Sequence, residues 1–442
     1  MGCALSSPVE LIRVQRHGSA NFRCAVAEMQ GWRVGHEDAH AMHCDGSRAT
    51  CFVLDGHGGD GAALFSAPQL LEELKNTDSS MPTDQQLEQV FYKVDERLHS
   101  YVQENPDKDS GSTVVGAVCV RSGDGTYSVK LLNCGDSRAV IARGPKEEED
   151  SCAKVQIRRP QHLEALGAQG LGNAVKSELE EAPGLIAPAP PGAPVFPVVM
   201  ETIDHKPDHP TEKFRIEAAG GSVTTMEDPP RLDGSLAVSR GLGDFEYKGD
   251  GQRLASEQKV SCVPDIYEIP SLQPGSICVL ACDGVWDVMT AEDVAEYVRE
   301  EVSREPPVDL GDVAAELLRL CLKKNSRDNM TCMILQLEDG TDWAGFPDEM
   351  QNYDKLLERH DQDEDVQSHY STFLQVAKFP AQALSCDVCK RWLLQMNQCQ
   401  CKQVFYCSRI CQKKGWKAHQ VVCGAKTDSA GTKHCRPAQD GV

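Results

Sequence analysis

The sequence predicts an α+β protein, mainly antiparallel sheets with helices packed outside them, followed by a small cysteine-rich domain. Three observations predict it. Apolar, β-prone runs bounded by turn residues recur between residues 50 and 338. Amphipathic helical segments lie among them, with few of the strand–helix–strand alternations that build a parallel sheet. Eight of the 20 cysteines crowd between Cys386 and Cys435.

The elements follow in order. "TCFVLDG" (50–56) and "STVVGAVCV" (112–120) read as strands. "YSVKLLNCGDSRAVIA" (127–142) reads as a hairpin turning at Gly135-Asp136-Ser137. "GSICVLACDG" (275–284) and "NMTCMILQLE" (329–338) complete the set. In "DQQLEQVFYKVDERLHSYV" (84–102), Leu87, Val90, Phe91, Val94, Leu98 and Tyr101 share one helix face. "TAEDVAEYVREEV" opens with Thr290 and Asp293, spaced as an N-terminal cap. "DVAAELLRLCLKK" (312–324) is a third helix. Residues 144–200 hold "KEEED" and six prolines between Pro183 and Pro197, which reads as an extended surface insertion. Residues 341–380 read as an acidic helical linker.

A chain of 442 residues has room for several domains, and 40% apolar residues build a sizeable core. The net charge is −22, yet residues 376–442 carry 11 Lys/Arg and 3 Asp/Glu, a balance of +8. An acidic main body argues against nucleic-acid binding and suits divalent cations. With no secretory h-region and no apolar stretch of membrane-spanning length, neither secretion nor a membrane span is expected. In a reducing compartment clustered cysteines bind metal, and scattered ones pack as small apolar groups. At the N-terminus Gly2 with Ser6 fits N-myristoylation, and Cys3 offers a palmitoyl site. Residues 1–20 are therefore expected to form an acylation segment at a cytoplasmic membrane face, needing both chains because one anchors weakly.

"CFVLDGHGGDGAALF" (51–65) ends an apolar strand in Asp55 and His57 among four glycines. A tight turn is the plain explanation for one such strand end. Further acids, however, bracket other apolar runs: Glu37 and Asp38 in "GWRVGHEDAH", Asp283 in "VLACDGVWDV" and Asp328 in "SRDNMT". Together they would place hard oxygen ligands at one edge of a β core, as Mg²⁺ or Mn²⁺ requires. No glycine-bearing Cys-x5-Arg nucleophile loop is evident, so a thiol mechanism is not expected.

These segments, with "DSGSTVVGAV", "NCGDSRAV", "DHKPDHPTEKFRIEAAGGSV" and "RLDGSLAVSRGLGD", occur in the order found in the metal-dependent type 2C protein serine/threonine phosphatases. Residues 20–337 resemble that family. The resemblance implies a central antiparallel β-sandwich flanked by helices, a phosphatase domain at 21–340, and hydrolysis of phosphoserine and phosphothreonine in protein substrates. It implies that Asp55 bridges two Mn²⁺ or Mg²⁺ ions, with Glu37 and the Gly56 carbonyl on one and Asp283 and Asp328 on the other. Asp38 resembles an acid that holds a water of the metal site, Arg33 the phosphate-binding arginine and His57 the general acid. Asp136 and Asp287 match a weaker third metal site. Thr113 and Asp244 fall in matching motifs without an assigned role. Two departures stand out: His36 occupies a position where the family usually has methionine, and the 144–200 insertion, near the family's substrate flap, bears on substrate choice.

The tail offers Cys386, Cys389, Cys399, Cys401, Cys407, Cys411, His419 and Cys423, enough soft ligands for two tetrahedral Zn²⁺ sites. Residues 386–423 resemble a MYND-type zinc finger. The family's interleaving implies one ion on Cys386, Cys389, Cys407 and Cys411, and the other on Cys399, Cys401, His419 and Cys423. Cys399-Gln400-Cys401 has one intervening residue where the family has two, which puts Cys399 in question and leaves Cys435 as a substitute without motif support. MYND fingers generally bind short peptides of partner proteins, so a protein partner, and no nucleic acid, is expected there. Two rivals remain: a non-enzymatic scaffold on a decayed phosphatase fold, which the surviving carboxylates oppose, and a nuclear corepressor-like binding protein led by the finger, which the acyl-type N-terminus opposes.

Overall fold

Strands buried on both faces carry unbroken apolar runs, and here each face meets a different layer. The computed structural model describes residues 4–75, 80–142, 156–158, 198–225, 229–304, 308–359, 364–380 and 384–423. Among these, two antiparallel sheets stack face to face. One has the strand order β9–β7–β11–β12–β2–β1–β13–β15–β14. It comprises β1 (Ala4–Gly18), β2 (Arg23–Arg33), β7 (Arg138–Ala142), β9 (Val198–Glu201), β11 (Ile277–Ala281), β12 (Met330–Gln336), β13 (Glu349–Gln351), β14 (Leu384–Ser385) and β15 (Trp392–Leu393). The other runs β8–β10–β6–β5–β4–β3. Its strands are β3 (Ala39–Cys44), β4 (Arg48–Leu54), β5 (Val114–Arg121), β6 (Tyr127–Cys134), β8 (Gln156–Arg158) and β10 (Asp265–Leu272).

The pleat sorts the side chains. Cys51 and Val53 of β4 enter the core between the sheets, whereas Phe52 and Leu54 point outward. There they meet α1 (Gly61–Lys75) and α2 (Asp84–Glu104). On the opposite flank Val279 and Ile334 pack under α5 (Ala291–Val302) and α6 (Leu310–Lys323), while Leu280 and Leu335 face inward. Thr290 caps α5 with a complete capping box, and Thr83 does the same for α2. Cys24, Cys51, Cys119 and Cys278 are fully buried in the inter-sheet core, where they act as small apolar groups. Two short helices, α3 (Pro210–Ala218) and α4 (Asp283–Trp286), border the site end of the sandwich.

Four expectations change. Residues 4–18 are no separate N-terminal segment: they form β1, paired to β2 with Ile12 opposite Met29, and Leu11, Ile12 and Val14 are fully buried. Residues 127–142 are no hairpin, because β6 and β7 belong to different sheets and the chain crosses between them at Gly135–Ser137. A side chain at Gly135, with φ +127°, would collide with Thr113. The acidic stretch 341–380 is no spacer. Its β13 pairs with β1, and α7 (Tyr353–Arg359) and α8 (Glu364–Val376) cover β1. Tyr353, Leu356, Tyr370, Phe373, Leu374 and Phe379 close there over Val9 and Leu11. The insertion, finally, gives each sheet an edge strand: β8 pairs with β10, and β9 with β7.

The cysteine-rich segment, with α9 (Arg409–His419), continues the larger sheet. Its β15 pairs with β13, Trp392 stacks on Tyr353 at 4.6 Å, and Arg391 pairs with Asp312 and Glu349.

Candidate metal centre

Apart from Asp287, which follows the short helix α4, the predicted acids sit where a core strand ends or begins at one end of the sandwich. Asp55 follows β4, Asp136 follows β6, Asp283 follows β11, and Asp328 precedes β12. Glu37 and Asp38 lie between β2 and β3. A cleft of about 670 Å³ opens there, lined by Arg33, Glu37, Asp55, Gly56, His57, Asp136, Asp283 and Asp328. Asp38 lies beneath it, 2% exposed; Asp287 is not among the lining residues. Oxygens of Asp38 and Asp55 and the Cys282 sulfur all lie within 4.8 Å of one another.

Backbone tethers fix this array. Asp55 N–H donates to the Thr113 hydroxyl at 3.3 Å, and Thr113 N–H donates to the Asp55 carbonyl at 2.9 Å. Asn329 clamps the acidic loop: its Nδ2 donates to the Gln30 and Gly35 carbonyls at 2.8 and 2.9 Å, and its Oδ1 accepts from Glu37 N–H at 2.9 Å. The Thr331 hydroxyl donates to Asp38 Oδ2 at 2.6 Å.

Electrostatics make the cluster unfavourable without cations. Burial, then repulsion among the acids, pushes Asp55 and Asp283 well above the usual carboxylate range. Burial pushes Asp38 up to about 8, and its buried Oδ1 has no hydrogen-bond partner. A set of buried, hard, mutually repelling oxygens fits divalent cations of the Mg²⁺ or Mn²⁺ kind. Of the third-site pair, Asp136 is already met by a cation of the chain itself: Lys206 Nζ donates to Asp136 Oδ2.

On the rim, Arg33 is 43% exposed and ion-paired with Asp328. His57 Nε2 lies 2.9 Å from Asp244 Oδ2. Burial alone would lower the His57 pKa, but the Asp244 carboxylate overcomes it and the net shift is upward. Asp244 holds a left-handed backbone, φ 53°. A Cβ at Gly111 would fall 2.2 Å from both Asp244 Oδ2 and His57 Nε2, so glycine keeps room for the pair. Sequence reading gave Asp244, Thr113, Asn329, Lys206 and Cys282 no role. Asn329 and Cys282 adjoin predicted acids in sequence, and Thr113, Asp244 and Lys206 lie in motif segments, but neither signal says what a side chain touches.

In the tail, the ligand atoms of Cys386, Cys389, Cys407 and Cys411 converge within 4.8 Å, and so do those of Cys399, Cys401, His419 and Cys423. Cys399 therefore joins its group, its sulfur 3.2 Å from His419 Nε2 and 3.7 Å from the Cys423 sulfur. A tight turn replaces the missing residue: Lys402 N–H donates to the Cys399 carbonyl at 2.7 Å, and Lys402 has φ 61°. Both donor sets suit zinc. Gly2, Cys3 and Cys435 lie outside the described residues.

The protein phosphatase 2C family model matches residues 22–154 and 197–330. The chain belongs to the protein phosphatase 2C family. It is a protein serine/threonine phosphatase by family, and the MYND finger model matches residues 386–423. Mouse protein phosphatase 1B is 32% identical over 356 residues, 76% of this chain and 75% of the mouse protein. Human protein phosphatase 1A is 32% identical over 352 residues, 76% of each chain. A crystal structure of a Toxoplasma gondii phosphatase is similar in fold, with a TM-score of 0.54 at 23% identity over 74% of this chain and 96% of that one. The gap in the phosphatase 2C match, residues 155–196, falls within the expected insertion. The family implies a divalent metal in the phosphatase domain, and the finger implies zinc.

Proposed function

We propose that this chain hydrolyses phosphoserine and phosphothreonine esters of proteins with a dinuclear Mn²⁺ or Mg²⁺ centre, and that its finger recognises a partner protein. The observation that carries the reading is the buried acid cluster, its charge offset only in part by Arg33 at Asp328 and Lys206 at Asp136, at the floor of a cleft rimmed by Arg33 and His57. Asp55 would hold both ions, with Glu37 and the Gly56 carbonyl on one and Asp283 and Asp328 on the other. Bound there, the ions would activate water for attack on phosphorus and neutralise phosphoryl charge.

The chain's own residues do the rest. Arg33 offers a guanidinium fork to the phosphate dianion. His57 gives the leaving serine or threonine oxygen its proton, and Asp244 at Nε2 orients the ring. Asp38 anchors through Thr331 and presents Oδ1 as an acceptor. The finger takes two Zn²⁺ ions on its two donor sets and offers a peptide surface. Membrane attachment at the cytoplasmic face would rest on Gly2 and Cys3, supported by the "MGCALS" pattern alone. Among the described residues no helix is long and apolar enough to cross a membrane.

The deciding experiment is turnover of a phosphoserine peptide with Mn²⁺, Mg²⁺ or chelator. Activity should need the metal and vanish in Asp55→Asn while the fold persists. Turnover in chelator, or in folded Asp55→Asn, would refute the metal assignment.

A further inference from the structure

The loop carrying Glu37 and Asp38 is held from two sides. Asn329 grips its inner side through the Gly35 carbonyl and the Glu37 N–H. On the outer side His36 turns away from the cleft and is 5% exposed, with neither ring nitrogen hydrogen-bonded. What His36 meets is an aromatic ring: Phe373 of α8 lies edge-on to it, ring centres 5.3 Å apart and planes at 81°. Edge-to-face pairs of this kind are favourable and directional. Beside them a cavity of about 260 Å³ is lined by His36, Asp38, Leu64, Phe373, Val376 and Ala377. The loop therefore has room to move outward on this side, and Phe373 stands in the way.

Phe373 is itself fixed. It is 1% exposed within the cluster of Val9, Leu11, Tyr370 and Leu374. That cluster includes Tyr353, on which Trp392 of the cysteine-rich segment stacks. Tyr353, Tyr370, Phe373, Leu374 and Trp392 lie beyond residue 330, where the phosphatase family match ends, and Val9 and Leu11 lie before residue 22, where it begins.

We propose that Phe373 is a positioning residue for the metal centre: through His36 it holds the Glu37–Asp38 loop in register with Asp55, so that cation affinity depends on the C-terminal helix. The inference rests on the reading of Glu37 and Asp38 as residues of the metal site. Because His36 follows directly into Glu37, slack at its ring becomes displacement of a ligand. Residues that orient metal ligands from behind typically change affinity about ten- to a hundredfold when removed.

The test is calorimetric titration of Mn²⁺ into the zinc-loaded full chain, well below its unfolding temperature. Phe373→Ala should weaken Mn²⁺ binding about tenfold, and Phe373→Leu, which restores most of the volume, should recover most of the affinity. Leu374→Ala removes apolar volume from the same cluster and should lower the unfolding temperature while leaving Mn²⁺ affinity unchanged. If Phe373→Ala does not fold, His36→Ala removes the same contact from the other side and should show the same loss. Wild-type affinity in folded Phe373→Ala, or in His36→Ala where that variant must decide, overturns the proposal, as does an equal loss in Leu374→Ala. Turnover of a phosphoserine peptide by the wild type, run in parallel, separates the two readings. A wild type that binds Mn²⁺ without hydrolysing the peptide refutes the catalytic function and leaves this inference standing.

Discussion

Asp244 shows how a residue without an assigned role enters the chemistry. It reaches His57 only because its backbone is left-handed and Gly111 leaves space. Asp244→Asn should lower turnover by about tenfold or more, a share of the roughly 10²–10⁴-fold that general acid catalysis contributes, while Mn²⁺ affinity stays near wild type. Unchanged turnover would remove Asp244 from the mechanism. A second residue-scale prediction concerns Glu28, buried on β2 between His40 and Arg13. Burial alone would raise its pKa; His40 and Arg13 overcome that and bring it from 4.5 down to about 2. A depressed carboxylate stabilises the fold above its unfolded value, and that contribution is lost as pH falls through the folded one. The loss therefore falls between about pH 4.5 and pH 2 and amounts to at most about 3 kcal/mol at 1.36 kcal/mol per pKa unit. Urea unfolding of wild type and Glu28→Gln should show a stability gap at pH 7 that narrows by pH 3. A gap independent of pH would show that Glu28 is not held as a carboxylate by its neighbours.

At the scale of elements, α7 and α8 pack as part of the phosphatase domain, since their apolar residues bury Val9 and Leu11 of β1. A chain ending near Lys378–Pro380 should keep metal-dependent peptide turnover, whereas one ending at Gly340 should unfold at a clearly lower temperature or fail to fold. Equal thermal stability of the two truncations would restore the linker reading. The sequence could not show this, because Tyr353, Leu356, Tyr370, Phe373 and Leu374 are spread among acids that look like a solvated helix. It also hid β1, whose buried Arg16 is paired with Asp309 and Glu349, residues remote in sequence. The strands buried on both faces were legible because an apolar run needs no partner to be recognised. The Tyr127–Ala142 stretch failed for the opposite reason: local spacing cannot tell a hairpin from a crossing between sheets. At the site, the acids were legible as types at strand ends. The contacts of Asp244 and Lys206 were not, because each depends on segments brought together by the fold.

For the whole molecule, two unlike donor sets are joined by the larger sheet, which gives Asp283 and Asp328 to one and is continued by the other. Carboxylates line one end of the sandwich, and thiolate sets lie beyond the β13 edge. The isolated segment 384–423 should bind two Zn²⁺ ions by elemental analysis, because Cys399 lies in contact distance of its group. A stoichiometry of one would place Cys399 outside the site despite that geometry. The pairing of β1 with β13 has a further consequence, for how the chain is made. Ile12 pairs with Gln351, more than three hundred residues later. On the ribosome β1 is made more than three hundred residues before the strand that borders it and the helices that cover it. Such long-range pairing is slow to form and leaves an open strand edge in the interval. The phosphatase domain must therefore wait for β13, α7 and α8, and the finger's zinc ligands are made only after them.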